Sequence, residues 1–165
     1  MARRLRPVEL DFVGTAPTRL VFTAGLSAPP EAVYRALAED VTGWPRWFGA
    51  VTMCRPTAGG AGREVRLKGG VRFQETILAS ESGERYAYRV DVTNAPAIRA
   101  LLEEWRLTPA GPAGPAGTGT RVRWTFAAAG PAPLRLALRL GRPGLGRAFR
   151  DAVRALDRRL ASTPA

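Results

Sequence analysis

Two glutamates, Glu75 and Glu103, interrupt rows of apolar residues in segments with the composition of β-strands. Alternate residues of a strand lie on the same face. The apolar members of the two rows are Val71, Phe73 and Ile77 around Glu75, and Leu101, Trp105 and Leu107 around Glu103. A carboxylate in an apolar interior must pair with arginine, take up a proton or bind a polar ligand atom. The two glutamates, together with Tyr88 from a third segment, are therefore candidates for moving protons in a reaction.

Purely structural roles for the same glutamates stay open. A β-bulge or a frayed strand end could turn either side chain to solvent. Glu104 beside Glu103 would also allow the strand to slip by one residue. In a further alternative, an arginine neutralises each carboxylate without any functional consequence.

Histidine is absent from the chain. Its absence removes the usual general base, the usual zinc ligand and the Ser-His-Asp and Cys-His arrangements. We therefore expect neither a metal nor a cofactor. The single cysteine, Cys54, has only Arg55 beside it as an activating group, so the sequence predicts a buried or half-buried, inert thiol.

The front of the chain predicts one strand and two short helices that would position these residues. A strand is expected over 19–28, where two prolines stop it. A short helix is expected in PPEAVYRALAED (29–40), because prolines are tolerated in the first helical turn. A second, very short helix is expected in GWPRWFGAV (43–51), closed by Gly49.

Six further strand-like segments follow, separated by turn residues. Alternation such as that of Val122, Trp124 and Phe126 with polar residues predicts strands with one wet and one covered face. Short connections, as at Gly69–Gly70, favour antiparallel hairpins, and PAGPAGPAGTG is expected to be a flexible hairpin loop. The six segments are VTMCRPT, REVRLKG, VRFQETILAS, ERYAYRVDV, ALLEEWRLT and TRVRWTFAA.

A long amphipathic helix is predicted at the end of the chain. Pro143 and Gly144 are expected to divide a short helical lead-in from a final helix over about 145–161. At about 100° per residue, one arc of that helix is apolar and the opposite face carries arginines. The apolar arc comprises Leu145, Phe149, Val153, Leu156 and Leu160, and the arginines are Arg147, Arg150, Arg154 and Arg158.

The chain resembles the START-like superfamily of polyketide cyclases, dehydrases, lipid-transfer domains and aromatic-ligand carriers, known as SRPBCC proteins. The resemblance rests on FTAGLSAPPEAVYRALAEDVTGWPRWF, GREVRLKGGVRFQETILASESGERYAYRV, EEWRLTPAG and GTRVRWTFA, in this order. It implies an α+β helix-grip fold, in which a curved seven-stranded antiparallel sheet wraps around the long C-terminal helix and two short helices follow the first strand. One such domain is expected over 17–161, with an N-terminal extension (1–16) and a tail (162–165).

The resemblance also implies a cavity between the concave face of the sheet and the last helix, with its mouth near the two short helices. By their position, the clustered Trp44, Trp47 and Phe48 are expected at its rim, although the same aromatic residues could simply fill the core. The complete set of predicted ligand-binding residues is Trp44, Trp47, Phe48, Phe73, Glu75, Tyr88, Glu103, Trp105, Trp124 and Phe149.

Two functional classes remain open at this point. The first is binding or transfer of a small hydrophobic ligand, a lipid, a polyketide or an aromatic compound. The second is an enzyme of the aromatase/cyclase kind, in which Glu75 or Glu103, with Tyr88, moves protons during aldol condensation and dehydration. The absence of histidine favours the first class.

The basic surface offers a third role. The net charge is +11, and the segment from Pro131 onward has eight arginines against two aspartates. Its arginine face could be solvated, with ion pairs such as Arg147 to Asp151, or could contact an anionic membrane or another acidic partner. Nucleic acid is not expected, because no aromatic residues are interleaved with the arginines. The start of the chain lacks the apolar run of a signal peptide, which predicts a cytoplasmic protein.

Overall fold

A computed structural model describes residues 1–111 and 119–162. The helices are α1 (Phe12–Thr15), α2 (Pro30–Tyr34) and α3 (Ala132–Ala161), together with a π-helical turn (Arg35–Glu39) and 3₁₀ turns (Val41–Arg46 and Ala58–Gly60). The strands are β1 (Arg3–Arg4), β2 (Thr18–Leu26), β3 (Val51–Thr57), β4 (Gly62–Leu67), β5 (Arg72–Glu81), β6 (Arg85–Thr93), β7 (Ala100–Ala110) and β8 (Gly119–Ala129). Most of the predicted PAGPAGPAGTG loop, and residues 163–165 of the tail, lie outside the described residues.

Seven long strands form one antiparallel sheet in the order β2-β8-β7-β6-β5-β4-β3. Six of them are consecutive hairpin partners, and β2 closes the sheet against β8. The predicted helix-grip architecture is confirmed, with all six strand-like segments in place. The two-residue β1 adds a short eighth strand beside the end of β6.

The long helix α3 lies across the concave face of this sheet, and its apolar arc forms the core with the strands. Phe149, Val153 and Leu156 are at most 2% exposed, and the helix packs most closely against β2. The sequence places apolar residues every three or four positions here, which is the spacing that a helix needs to bury one face.

The predicted break at Pro143 is wrong, because α3 runs without interruption from Ala132 to Ala161. Proline removes one helical hydrogen bond, to the carbonyl of residue 139. Pro143 lies on the exposed part of the helix, where water can hydrogen-bond to that carbonyl.

The second short helix is also displaced from its predicted place. It is the 3₁₀ turn Val41–Arg46 rather than a helix closed by Gly49. Inside it, the indole Nε1 of Trp44 donates a hydrogen bond of 2.9 Å to the carbonyl oxygen of Leu37. This bond ties the turn to the preceding helical segment and fixes the direction of the Trp44 side chain.

The N-terminal segment covers the convex face of the sheet. Val8 and Phe12 pack with Ala100, Leu102 and Ala127 in a second apolar cluster. These strand residues alternate with those that face α3, so the sheet buries side chains on both faces. None of the described helices is long and apolar enough to cross a membrane.

Candidate functional site

A cavity of about 250 Å³ lies between the concave face of the sheet and α3. Its wall is almost entirely apolar and aromatic, with three ionisable side chains on the sheet side. The lining residues are Trp44, Phe48, Ala50, Val51, Arg63, Val65, Leu67, Phe73, Glu75, Tyr88, Glu103, Trp124, Phe126, Leu138, Leu145 and Ala148.

Seven of the ten residues predicted from sequence line this cavity, namely Trp44, Phe48, Phe73, Glu75, Tyr88, Glu103 and Trp124. The other three, Trp47, Trp105 and Phe149, lie behind the wall. Trp105 and Phe149 stack on the Trp124 ring with centroids 5.5 and 5.7 Å away. The three outer residues therefore pack against lining rings from behind and do not themselves line the cavity.

The aromatic cluster of the 3₁₀ turn lies inside the core rather than at an exposed rim. Trp44, Trp47 and Phe48 are 2%, 3% and 8% exposed. Trp44 and Trp47 pack with ring centroids 4.7 Å apart, and both meet Trp105 edge to face. Such contacts between large apolar rings are favourable when the rings are removed from water.

Glu75 faces the cavity and forms a buried ion pair with Arg63 on the adjacent strand β4. Both side chains are 2% exposed, and Arg63 Nε donates to Glu75 Oε2. The ladder places these two residues directly opposite each other. A bulge lies next to Glu75 in the pairing of β5 with β6, but it does not turn the carboxylate to solvent.

The Arg63 guanidinium also lies between two aromatic rings. Its Cζ is 3.8 Å from the centroid of the Tyr88 ring and 4.3 Å from that of Trp44. Desolvated contacts of this kind favour the charged guanidinium. Within the described residues, Arg63 Nη1 is buried and has no hydrogen-bond partner. A positive group whose Nη1 has no partner therefore belongs to the cavity wall.

Glu103 is held by two hydrogen bonds from aromatic side chains. Its Oε2 accepts from Tyr88 Oη at 2.9 Å and from Trp124 Nε1 at 3.0 Å. Trp105 Nε1 donates in turn to Tyr88 Oη at 3.1 Å. The alternative of a strand slipped by one residue is wrong, because Glu103 pairs with Tyr88 in the ladder while Glu104 faces the other side.

Burial raises the pKa of both cavity carboxyls. The pKa of Glu75 rises to about 7 because burial and the neighbouring Glu103 outweigh the attraction of Arg63. Burial also raises the pKa of Glu103, against the hydrogen bond from Tyr88 and the attraction of Arg63. One guanidinium faces two carboxyls, so a proton on one of them at neutral pH brings the charges into balance.

Cys54 is buried, with 4% of its surface exposed. Burial raises the pKa of its thiol to about 11, which leaves little thiolate at neutral pH. In the part of the chain that the structure describes, no group of three or more cysteine, aspartate and glutamate side chains is arranged to hold a metal ion.

Arg63 is the charged lining residue that the sequence reasoning missed; the other lining residues outside the predicted set are apolar. It begins the segment REVRLKG, in which Arg63, Val65 and Leu67 alternate with exposed or half-buried neighbours. The period of two that placed the glutamates inside also places this arginine inside. The same search for polar breaks in an apolar row, applied to β4, would have found it.

Comparisons with known proteins give a consistent result. The sequence profile of the family described as "Polyketide cyclase / dehydrase and lipid transport" matches residues 17–161. Rv2574 of Mycobacterium tuberculosis, named as an uncharacterized protein, is 33% identical over 156 residues, which cover 92% of this chain and 89% of that protein.

Solved structures share the fold at low sequence identity. The ZhuI aromatase/cyclase from Streptomyces sp. R1128 superposes with a TM-score of 0.67 at 17% identity, over 87% of this chain and 93% of that one. A START superfamily protein from Mycobacterium smegmatis gives a TM-score of 0.64 at 12% identity, over 87% and 97% of the two chains.

Proposed function

Because this chain belongs to the family of polyketide cyclases, dehydrases and lipid-transport proteins, we propose that it binds a small hydrophobic ligand between its sheet and α3. The ligand's rings or acyl chain contact the aromatic wall, and one of its oxygen atoms accepts a hydrogen bond from Arg63. The ligand-binding residues are then those of the predicted set that line the cavity, with Arg63 added.

The unpaired Arg63 Nη1 is the observation that carries this proposal. A buried donor without a partner destabilises a protein by about 1–3 kcal/mol, and by more when the group is charged. Most buried polar groups in native proteins have a partner. A ligand oxygen that accepts from Nη1 would remove this penalty, so Arg63 favours a ligand that carries such an atom.

The size of the cavity limits the ligand. Its volume of about 250 Å³ is slightly below the range of about 300–1,000 Å³ that is usual for small-molecule sites. One or two rings, or a short acyl chain, match this space. The flat rings of Trp44 and Trp124 on the wall favour a planar compound.

A matched set of two-ring compounds tests the proposal. Naphthalene, 2-naphthol and 2-naphthoic acid differ only in the polar group that would meet Arg63. We expect the two oxygenated compounds to bind at least about tenfold more tightly than naphthalene, because a hydrogen bond to a charged group contributes about 1.5–3 kcal/mol. Titration with intrinsic tryptophan fluorescence measures these affinities, since two tryptophans line the cavity.

A pair of matched variants locates the binding site. Phe73→Leu changes a lining side chain, whereas Phe149→Leu changes one behind the wall. We expect Phe73→Leu to weaken the binding of 2-naphthol several-fold and Phe149→Leu to leave it nearly unchanged. Equal affinity for naphthalene and 2-naphthol, or equal effects of the two substitutions, would contradict the proposal.

A second function, acid–base catalysis in the same cavity, is favoured by the raised pKa of Glu75. A carboxyl with a pKa of about 7 can both release and accept a proton at neutral pH. In an aldol condensation, a carboxylate removes a C–H proton, and the electron pair of that bond forms the new C–C bond at a ketone carbon. The C=O π bond opens, and the resulting alkoxide takes up the proton. In the dehydration a second C–H proton is removed, a C=C bond forms, and the hydroxyl leaves with a proton as water.

The variant Glu75→Gln separates binding from catalysis. Glutamine keeps the size and the acceptor oxygen of glutamate but cannot exchange a proton. If the protein is a cyclase, this variant should bind a short poly-β-ketone thioester and lose its cyclisation. If the wild-type protein binds the thioester and does not accelerate its cyclisation over buffer, the catalytic proposal is wrong and the binding proposal stands.

A further inference from the structure

The first three turns of α3 expose two leucines to solvent. Leu136 and Leu140, here called the leucine patch, are 58% and 74% exposed. Apart from Met1, they are the large hydrophobic side chains that are exposed among the described residues. Residues four apart on a helix are neighbours on one face, so the two side chains form a continuous apolar spot.

The part of α3 that carries this patch has basic residues and, up to residue 150, no acidic residue. Between positions 131 and 150 the sequence has five arginines and neither aspartate nor glutamate. At about 100° per residue, Arg147 and Arg154 fall within about 40° of the leucine patch on the helical wheel. The outward face of α3 therefore begins with leucines and continues with arginines. Asp151 lies among these arginines and pairs with Arg154 at 3.8 Å rather than with Arg147 as predicted.

The opposite face of the same helix closes the cavity. Leu138 and Leu145 belong to the cavity lining. In the sequence they alternate with the leucines of the patch and the arginines that follow, so they lie on the other side of the helix. A surface that contacts the outward face of α3 is therefore separated from the cavity by the thickness of one helix.

We propose that the outward face of α3 docks on an anionic phospholipid surface. Leu136 and Leu140 enter the boundary between headgroups and acyl chains, and the arginines contact lipid phosphates. Arginines with apolar residues on one helical face are the composition of helices that lie in this interface. This role goes beyond the binding of a cavity ligand, and it can be measured on the free protein.

The size and charge of the patch favour a lipid surface over a protein partner. A stable protein interface buries about 800 Å² on each partner, far more than two leucine side chains supply. A second copy of this chain would also bring arginines against arginines. A bilayer of anionic lipids needs only shallow insertion, since juxtamembrane arginines gain attraction from its negative surface potential.

Co-sedimentation of the full chain with vesicles tests the proposal. We expect binding to vesicles of equal parts phosphatidylcholine and phosphatidylglycerol, little binding to phosphatidylcholine alone, and a decrease with added salt because screening weakens the attraction. The double variant Leu136→Ser/Leu140→Ser should bind the anionic vesicles at least about tenfold more weakly. Both leucines are exposed, so its thermal midpoint should stay that of the wild type.

Two arginine pairs distinguish a specific face from general positive charge. Arg139→Gln/Arg147→Gln removes two charges from α3, whereas Arg121→Gln/Arg123→Gln removes two from exposed positions on β8. We expect the first pair to weaken vesicle binding about tenfold and the second less than about threefold.

Three results would overturn the proposal. They are absence of binding to the anionic vesicles, equal effects of the two arginine pairs, and full binding by the leucine variant. If the wild type does not bind vesicles and sediments as a dimer in ultracentrifugation, while the leucine variant sediments as a monomer, the patch is an interface between copies instead.

Discussion

At the scale of single residues, the cavity combines one arginine with two glutamates in an apolar wall. Arg63 pairs with Glu75, while Glu103 relies on hydrogen bonds from Tyr88 and Trp124. Ion pairs that are removed from water contribute little net stability, because desolvation opposes the attraction. This is consistent with the proposal that Arg63 and the two glutamates serve ligand recognition rather than folding.

The raised pKa of Glu75 predicts a stability that decreases as pH rises. The folded protein keeps the proton up to about pH 7, whereas an unfolded glutamate with a pKa of 4.5 releases it earlier. The folded state therefore binds more protons in this window, and the free energy of unfolding falls between about pH 4.5 and about pH 7, by up to about 3 kcal/mol. Glu75→Gln should remove this contribution to the dependence of the unfolding free energy on pH. Urea unfolding at several pH values would measure it. A slope that is identical in the variant would contradict the prediction.

Two tyrosines on β6 provide a matched test of the hydrogen bonds around Glu103. Tyr88 Oη donates to Glu103 and accepts from Trp105, whereas the structure gives the Tyr86 hydroxyl no hydrogen bond to the described residues. Tyr88→Phe should lower the free energy of unfolding by about 1–3 kcal/mol, because it leaves buried partners unsatisfied. Tyr86→Phe should lower it by less than about 1 kcal/mol. Chemical denaturation measures both, and the opposite order would show that the Glu103 network is not formed in solution.

At the scale of elements, α3 tolerates a proline that the sequence suggests should break it. Two prolines occur in this helix, Pro133 in the first turn and Pro143 in the interior. The first-turn amide has no helical partner in any case, so proline is tolerated there. The interior proline lacks a hydrogen bond that alanine would make.

Replacing each proline by alanine should separate these effects. Pro143→Ala should raise the free energy of unfolding by about 1–2 kcal/mol, since an interior proline is unfavourable by about 3 kcal/mol and the freer unfolded chain offsets part of the gain. Pro133→Ala should change it by less than about 1 kcal/mol. Thermal unfolding followed by circular dichroism provides the measurement. A loss of stability in Pro143→Ala would contradict this account, because it would mean that the proline itself stabilises the folded helix.

At the scale of the whole molecule, one sheet supports two separate cores. The concave face meets α3 and the cavity, and the convex face is covered by the N-terminal segment through Val8 and Phe12. The residues expected to be an extension before the domain therefore contribute buried apolar surface. Because the sheet lies between the two clusters, a change in one need not reach the other.

The variant Phe12→Ala tests this separation. Loss of a buried phenylalanine should lower the free energy of unfolding by about 3–5 kcal/mol. The affinity for 2-naphthol, measured where the variant is still folded, should remain within about twofold of the wild-type value, since Phe12 does not contact the cavity. A large loss of affinity without unfolding would show that the two faces are coupled.

The sequence by itself determined the order of the elements and the faces of the strands. Alternation over two residues placed Glu75 and Glu103 on the covered face, and spacing of three to four residues identified the buried arc of α3. These patterns are local, because they follow from the geometry of one strand or one helix. Together with the resemblance to SRPBCC proteins, they led to the fold and to seven residues that line the cavity.

Only the tertiary structure decided which charged groups meet and which aromatic residues line the cavity. Arg63 opposes Glu75 because β4 pairs with β5 in a particular register, and Glu103 meets Trp124 through a contact between two strands. Three residues lie on the covered side but do not line the cavity, because the stacking of neighbouring rings places them behind the wall. These residues are Trp47, Trp105 and Phe149. Register and ring packing arise from contacts between segments far apart in the chain, and no pattern within one segment contains them.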